Sequence, residues 1–219
     1  MSTCLDYRTM PREEIQRTYD RLAPAYGRMT FMDRRLFGVD RQRRRLLNDV
    51  AGHVLDVACG TGASFPFLRA ASHVTGIDLS PGMLSIARRR ADRLGLPVNL
   101  RVMDAGRLDF IDGCFDVVVS ALSTCTFSDP VAALREMSRV VRPNGRILLL
   151  EHGRSSWGPI GHHQDRTARG HFEAAGCRWN QEPLDLARTA GLIVTAHRRF
   201  FFGVFHAIEA RPQPVRRSI

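Results

Sequence analysis

Residues 54–65 read VLDVACGTGASF: an apolar run carrying one acid passes into two glycines one residue apart. A glycine turn behind a strand is the usual cradle for a phosphate group. A dinucleotide turn reads G-x-G-x-x-G, its third glycine allowing helix and strand to pack closely. Here that frame is Gly60-Thr61-Gly62-Ala63-Ser64-Phe65, so a phenylalanine stands in the third position. A P-loop needs a lysine, and all 32 basic residues of this chain are arginine. Both phosphate readings fail. What remains is D-x-x-x-G-x-G, from Asp56 to Gly62.

Outward from this turn, strands alternate with helices. Strand patterns cover 53–58, 74–78, 99–104, 115–122, 146–152, 193–202 and 204–210, the last two joined at Gly203. Helical patterns cover 62–71, 80–94, 129–141 and 182–192. Ser80-Pro81 and Asp129-Pro130 supply an N-cap followed by proline in the first turn. Residues 142–145 (RPNG) read as a turn. Residues 153–179 lose the rhythm and read as a long loop, helical in part over 163–175. The first 50 residues read as two helical stretches, the second over about 33–50, broken around 27–31. Such alternation predicts an α/β fold: a Rossmann-like, doubly wound, mostly parallel seven-stranded sheet with an antiparallel C-terminal hairpin. The expected division is a helical region over 1–50, a ligand-binding domain over 51–211 and a disordered tail over 212–219.

Bulk properties exclude more than they identify. With 219 residues, 44% of them hydrophobic and 25% charged, the chain suits one globular domain. No apolar run approaches the ~20 residues of a membrane-spanning helix, and the N-terminus lacks the apolar core of a secretory signal. A cytoplasmic protein is the expectation. The net charge of +10 is compatible with contact to an anionic membrane surface or RNA. Arginine clusters at 41–45 and 88–90 read as solvated helix faces. The five cysteines show neither a C-x-x-C pair nor zinc spacing and read as reduced thiols, with no metal expected.

Three acids close consecutive strands: Asp56, Asp78 and Asp104. In an open α/β sheet, ligands bind beyond the carboxyl ends of the strands. Asp56 would repel a phosphate and suits an ammonium group. Asp78 can accept from both hydroxyls of a ribose, and Asp104, followed by Ala105, from the exocyclic amine of an adenine. A ligand with an amine, a ribose diol and an adenine but no phosphate fits S-adenosylmethionine.

The ordered series VLDVACGTG, GIDLSPGML, Asp104-Ala105, FDVVVSALS and LREMSRVVRPNGRILLLEHG resembles the class I S-adenosylmethionine-dependent methyltransferases over residues 54 to about 152. The resemblance implies cofactor contacts from Ala58, Gly60, Gly62, Leu79 and Ser120 in addition to the three acids. Met83 would pack on the adenine, or belong to the core. YDRLAPAYGRM (19–29) is similar to the entry helix of the ubiquinone/menaquinone C-methyltransferase and phosphatidylethanolamine N-methyltransferase group. That makes residues 1–50 a lid, with Tyr19 near the reacting groups and Tyr26 over the cofactor; the plainer reading is that both tyrosines only pack the helix. Where many members of that group carry an aspartate after the second tyrosine, this chain has Gly27.

Methyl transfer mainly requires alignment, so the acceptor is hard to read from residues. No N-P-P-Y or D-P-P-Y follows the fourth strand, which reads STCTFSDP; amino-directed nucleobase and glutamine methylation are thereby disfavoured. No RNA-binding module and no trio of acidic metal ligands is apparent. GCRWNQEP and the C-terminal FFFGVFHAIEARP resemble a subgroup acting on small molecules and lipids. In it Trp179 and Asn180 wall the acceptor pocket or anchor the last helix. His152 and Arg154, just past the fifth strand, are candidates for a base and an orienting group; a structural histidine is the equal alternative for His152. His162, His163 and Asp165 read as loop surface. The leading expectation is a methyltransferase for a small lipophilic acceptor: a quinol-like ring, a phospholipid amine or a thiol. An RNA or protein methyltransferase, and a cofactor-binding protein without transfer activity, are the competing readings.

Overall fold

The computed structural model describes residues 9–30 and 35–213. Among them, seven strands form one sheet: β1 (Gly52–Val57), β2 (Ala71–Asp78), β3 (Val98–Val102), β4 (Phe115–Ala121), β5 (Val141–His152), β6 (Ile193–Phe200) and β7 (Phe205–Arg211). The order is β3-β2-β1-β4-β5-β7-β6. The first five strands are parallel, and β7 runs antiparallel between β5 and β6. The chain winds from β1 outward to β3, then returns to the other side of β1 with β4. The crevice between the carboxyl ends of β1 and β4 is the place where such a sheet receives a ligand.

Both faces of the sheet are covered, as a parallel sheet requires. The helices are α1 (Arg12–Met29), α2 (Val39–Leu47), α3 (Pro81–Leu94), α4 (Pro130–Val140), α5 (Gly158–Ala175) and α6 (Pro183–Thr189). Alternation along β1 sends Leu55 and Val57 into a core with Leu134, Met137 and Val140 of α4. Val54 points the other way, into a core with Leu46 and Leu47 of α2 and Leu84 and Ala87 of α3. The two expected caps form: Ser80 Oγ accepts from Met83 N at 3.0 Å, and an Asp129 carboxylate oxygen from Ala132 N at 2.9 Å.

Several elements differ from the sequence reading. The helix expected over 62–71 is instead a single 3-10 turn, Phe65–Phe67. Pro66 removes an amide donor, and the Phe65 ring, 0% exposed, turns back against the glycine turn. Gly62 sits at φ +73°, and a Cβ there would lie 2.5 Å from that ring. The third position of the motif is thus filled from within. The stretch over 153–179 is mostly helix, α5, with Pro159 in its first turn and Gly176 closing it at φ +65°. Histidine, glycine and arginine on the outer face of α5 mask its periodicity. β5 starts at Val141 and carries the RPNG segment as a bulge, since Phe115 pairs with Val141 but Val117 with Arg146. α1 continues through Gly27 to Met29, and α2 is shorter than expected. The β6–β7 turn holds Phe201, Phe202 and Gly203 at positive φ. Phe31 of the expected break, residues 33–34 and most of the expected tail (214–219) lie outside the described residues.

Gly60 and Gly62 separate backbone strain from crowding. Both have positive φ, but a Cβ at Gly60 meets nothing within 4 Å. Gly60→Ala is expected to cost about 1–2 kcal/mol for the left-handed backbone alone. Gly62→Ala adds a clash with an immobile ring and should cost about 1–3 kcal/mol more. Urea unfolding of both variants checks this; equal losses would show that Phe65 does not dictate the glycine.

Candidate active site

A cavity opens at the carboxyl ends of β1, β2 and β4 and is roofed by α1. Its floor holds two strained residues. Ala58, just after β1, has φ +50°, and Leu122, just after β4, has φ +57°. Non-glycine residues in this region cost energy and are retained where surrounding structure fixes them, often at functional sites. Both line the cavity. Their conformation turns the chain off the strand ends at the cavity.

Asp78 ends β2 and holds the glycine turn in place. One carboxylate oxygen accepts from Gly60 N at 2.8 Å and the other from Ser80 N at 2.9 Å. Burial nevertheless pushes its pKa up to about 6, against the pull of those two amides. Each oxygen retains a second lone pair, which is the acceptor chemistry a diol needs. Asp104 also lines the cavity, with Oδ1 accepting from Gly106 N at 2.8 Å. Met83 is buried in the same wall, beside Leu79 and Ala105.

The roof is bolted on by a residue that the sequence reading did not single out. Asp20 of α1 accepts from Ser80 Oγ at 2.5 Å and from Gly82 N at 2.9 Å, at the N-terminus of α3. A carboxylate there neutralises the exposed amides and the positive helix end. A Cβ on Gly82 would meet Asp20 at 3.0 Å, so the glycine permits the approach. Tyr19 and Tyr26, edge to face at 6.0 Å, then line the cavity from above. Burial raises the pKa of both phenols, so both stay protonated.

The expected site residues divide. Tyr19, Tyr26, Ala58, Gly60, Asp78, Leu79, Met83, Asp104 and Ala105 meet around the cavity. Asp56, Gly62 and Ser120 lie behind its wall. Asp56 is 1% exposed, and burial lifts its pKa to about 7, with the nearby Arg43 guanidinium opposing. Its Oδ2 has no partner among the described residues. Arg43, read from sequence as part of a solvated cluster, is 3% exposed and reaches the cavity while pairing with Asp40 at 2.6 Å. Gly62 makes room for Phe65, and Ser120 bonds to Ser123 and to Glu151.

Glu151, at the end of β5, is the second residue that the sequence reading passed over. It is fully buried and accepts from Ser120 Oγ at 3.2 Å, Ser123 N at 3.0 Å and Thr124 N at 3.2 Å. It thereby shapes the turn after β4, whose Ser123, Thr126 and Phe127 line the cavity. The only sequence signal was its place at a strand tip beside His152.

The four C-terminal candidates are not on the cavity wall. Arg154 pairs with Asp165 at 2.9 Å, and Asn180 Nδ2 donates to the same carboxylate at 3.1 Å. Trp179 stacks on His171 at 4.6 Å and donates to the Gln164 carbonyl at 3.2 Å. His152 turns Nε2 to the Cys177 sulfur at 3.4 Å. These residues bind the segment after α5 to the domain.

The groups around the cavity fit S-adenosylmethionine. Asp78 and Asp104 are acceptors, the N-terminus of α3 is already occupied by Asp20, and the open Cβ direction of Gly60 admits a ligand against backbone.

Comparison with known proteins agrees. Residues 55–149 match the methyltransferase domain family. A mitochondrial methyltransferase of Saccharomyces cerevisiae is 26% identical over 94% of this chain and 48% of its own length. The phosphatidylethanolamine N-methyltransferase of Cereibacter sphaeroides is 37% identical over 64% of this chain and 72% of its own. The demethylmenaquinone methyltransferase of Thermus thermophilus is 39% identical over 61% and 63%. The chain thus spans between about half and somewhat over two thirds of the length of these relatives. A solved S-adenosylmethionine-dependent methyltransferase of Thermotoga maritima shares the fold, with TM-score 0.69 and 21% identity over 91% of this chain and all of that one. The chain belongs to the class I S-adenosylmethionine-dependent methyltransferases, and its cofactor is S-adenosylmethionine.

Proposed function

We propose that the protein transfers the methyl group of S-adenosylmethionine to a small lipophilic acceptor, a quinol-like ring, a phospholipid amine or a thiol. One observation carries this reading. The cavity that holds Asp78 and Asp104 carries Ile15, Met103, Leu122 and Phe127 in its wall under Tyr19 and Tyr26, alongside Arg12, Arg43 and several hydroxyl side chains. Apolar walls with a few fixed polar groups suit a small organic acceptor. The phospholipid and quinone acceptors in the names of the two bacterial relatives point the same way.

The bound cofactor supplies an activated methyl on a sulfonium, so the protein has to place the acceptor in line and keep water out. Asp78 and Asp104 would hold the ribose and adenine, and Met83 the face of the base. The two acids also give the cavity the charge that a sulfonium prefers. Tyr19 and Tyr26 would cover the reacting atoms as neutral phenols. Ser123, in the wall and hydrogen-bonded to Ser120 ahead of buried Glu151, is a route for a proton leaving the acceptor.

Exposed apolar side chains suggest how a lipophilic acceptor arrives. Met29 (56% exposed) adjoins cavity-lining Thr30, and Leu36 (64%), Trp157 (52%) and Phe202 (58%) are also exposed. Trp157 and Phe202 pack together at 5.4 Å. Aromatic tips beside an arginine-rich surface suit an anionic bilayer face.

Four outcomes test this reading. Asp78→Ala should weaken cofactor binding tenfold or more, since a hydrogen bond to a charged acceptor contributes ~1.5–3 kcal/mol. In the unaltered chain, affinity should fall as pH drops through about 6, where Asp78 takes up a proton and loses acceptor capacity; calorimetry showing a flat profile from pH 8 to 5 would contradict the assignment. Replacing both Trp157 and Phe202 by Ala should reduce sedimentation with anionic vesicles by about tenfold while leaving cofactor affinity unchanged. With methyl-labelled cofactor and fractionated cell extract, label should enter the lipid or small-molecule fraction. Label confined to RNA would refute the proposal.

A further inference from the structure

Outside the cofactor cavity, one cluster of metal-binding side chains has no part in the account so far. Cys125, His152 and Cys177 come from three elements far apart in sequence, and their ligand atoms lie within 4.8 Å of one another. Cys125 sits in a 3-10 turn after β4 (Thr124–Thr126), His152 ends β5 and Cys177 follows α5. The two sulfurs are 3.3 Å apart, and Cys177 Sγ is 3.4 Å from His152 Nε2. Both cysteines are buried.

These separations are close to the edges of a metal tetrahedron. With metal–sulfur bonds of ~2.3 Å and metal–nitrogen bonds of ~2.0–2.1 Å, the ligand atoms of a zinc site stand roughly 3.5–3.8 Å apart. The sulfur–sulfur and sulfur–nitrogen edges that Cys177 makes would have to lengthen by only a few tenths of an ångström to admit an ion. The histidine is also oriented as a ligand. Its Nε2 faces the sulfur, and the same ring donates to the Trp179 carbonyl, which holds the remaining nitrogen. Ligating histidines usually carry such a second hydrogen bond. His171, stacked on Trp179, stands on the Cys177 side of the cluster.

We propose that Cys125, Cys177 and His152 bind one thiophilic divalent cation of the zinc class as three protein ligands of a tetrahedral site, with the fourth position open. The site has a definite mechanical consequence. Thr126 and Phe127, next to Cys125, line the cofactor cavity, and Arg178, next to Cys177, donates from Nη1 to the Phe127 carbonyl at 2.7 Å. Tyr19 Oη donates to the Ala175 carbonyl at 3.5 Å. A cation here would clamp the turn after β4, the end of β5 and the segment beneath the lid into one rigid wall. It would act as a structural tie, away from the transferred methyl.

Cobalt(II) titration of the metal-free full chain tests the proposal. One equivalent should produce thiolate-to-cobalt charge-transfer absorption and tetrahedral ligand-field bands, displaced by zinc. Cys125→Ser, Cys177→Ser and His152→Asn should each abolish or sharply weaken the signal, whereas Cys114→Ser and His162→Ala should retain it. If a ligand variant fails to fold, the unaltered chain still decides. Its thermal unfolding should rise with zinc and return with a chelator. Absence of any thiolate–cobalt band would overturn the site, as would a band that survives in both cysteine variants. A Cys125–Cys177 disulfide in chain that takes up no metal after reduction would do the same.

Discussion

The carboxylate of Asp78 is the constraint on which the rest of the site depends. It ties the glycine turn after β1 to the start of α3 through Gly60 N and Ser80 N. Two amide bonds to a carboxylate favour its charged form by roughly 1.5–3 kcal/mol each. Burial wins all the same, since the pKa stands at about 6, above the ordinary carboxylate range. The fold therefore carries a poorly solvated acid at the cavity. Under the proposed reading, a ligand bearing two hydroxyls would give it two further donors. The same residue that shapes the turn thus makes it receptive.

The neighbouring features follow from that arrangement. Ser80 caps α3 and also donates to Asp20, so the turn, the helix and the roof share one hydrogen-bond cluster. Ala58 and Leu122 store strain at two adjacent strand ends, and buried Glu151 holds the turn after β4 from behind. Cavity floor, roof and the turn after β4 are each fixed by one carboxylate: Asp78, Asp20 and Glu151.

Much of this was legible in the sequence because it depends on local pattern. Strand alternation, the two serine- or aspartate-proline caps and the acids at strand tips predicted the sheet and several residues that meet around the cavity. Phe65 in place of a third glycine excluded a dinucleotide turn, and the structure supplies the reason, a ring folded over Gly62. What could not be read depends on long-range geometry. Asp20 and Ser80 are 60 residues apart and resemble any helix acid and any N-cap. Arg43 looked like its solvated neighbours, and only packing shows it buried. Glu151 and His152 are adjacent in one strand, so their side chains leave on opposite sides; the histidine invited a catalytic reading, while the glutamate faces the cavity wall. Cysteine spacing found no metal motif, because Cys125 and Cys177 meet only through the fold.

The central claim is that Asp78 recognises a ribose diol. Calorimetry of S-adenosylhomocysteine against its 2′,3′-dideoxy analogue measures that contact directly, without disturbing the turn that Asp78 also supports. The account predicts about tenfold or greater loss for the analogue in the unaltered chain, and little difference between the two ligands in Asp78→Asn. Equal affinities in the unaltered chain would contradict it.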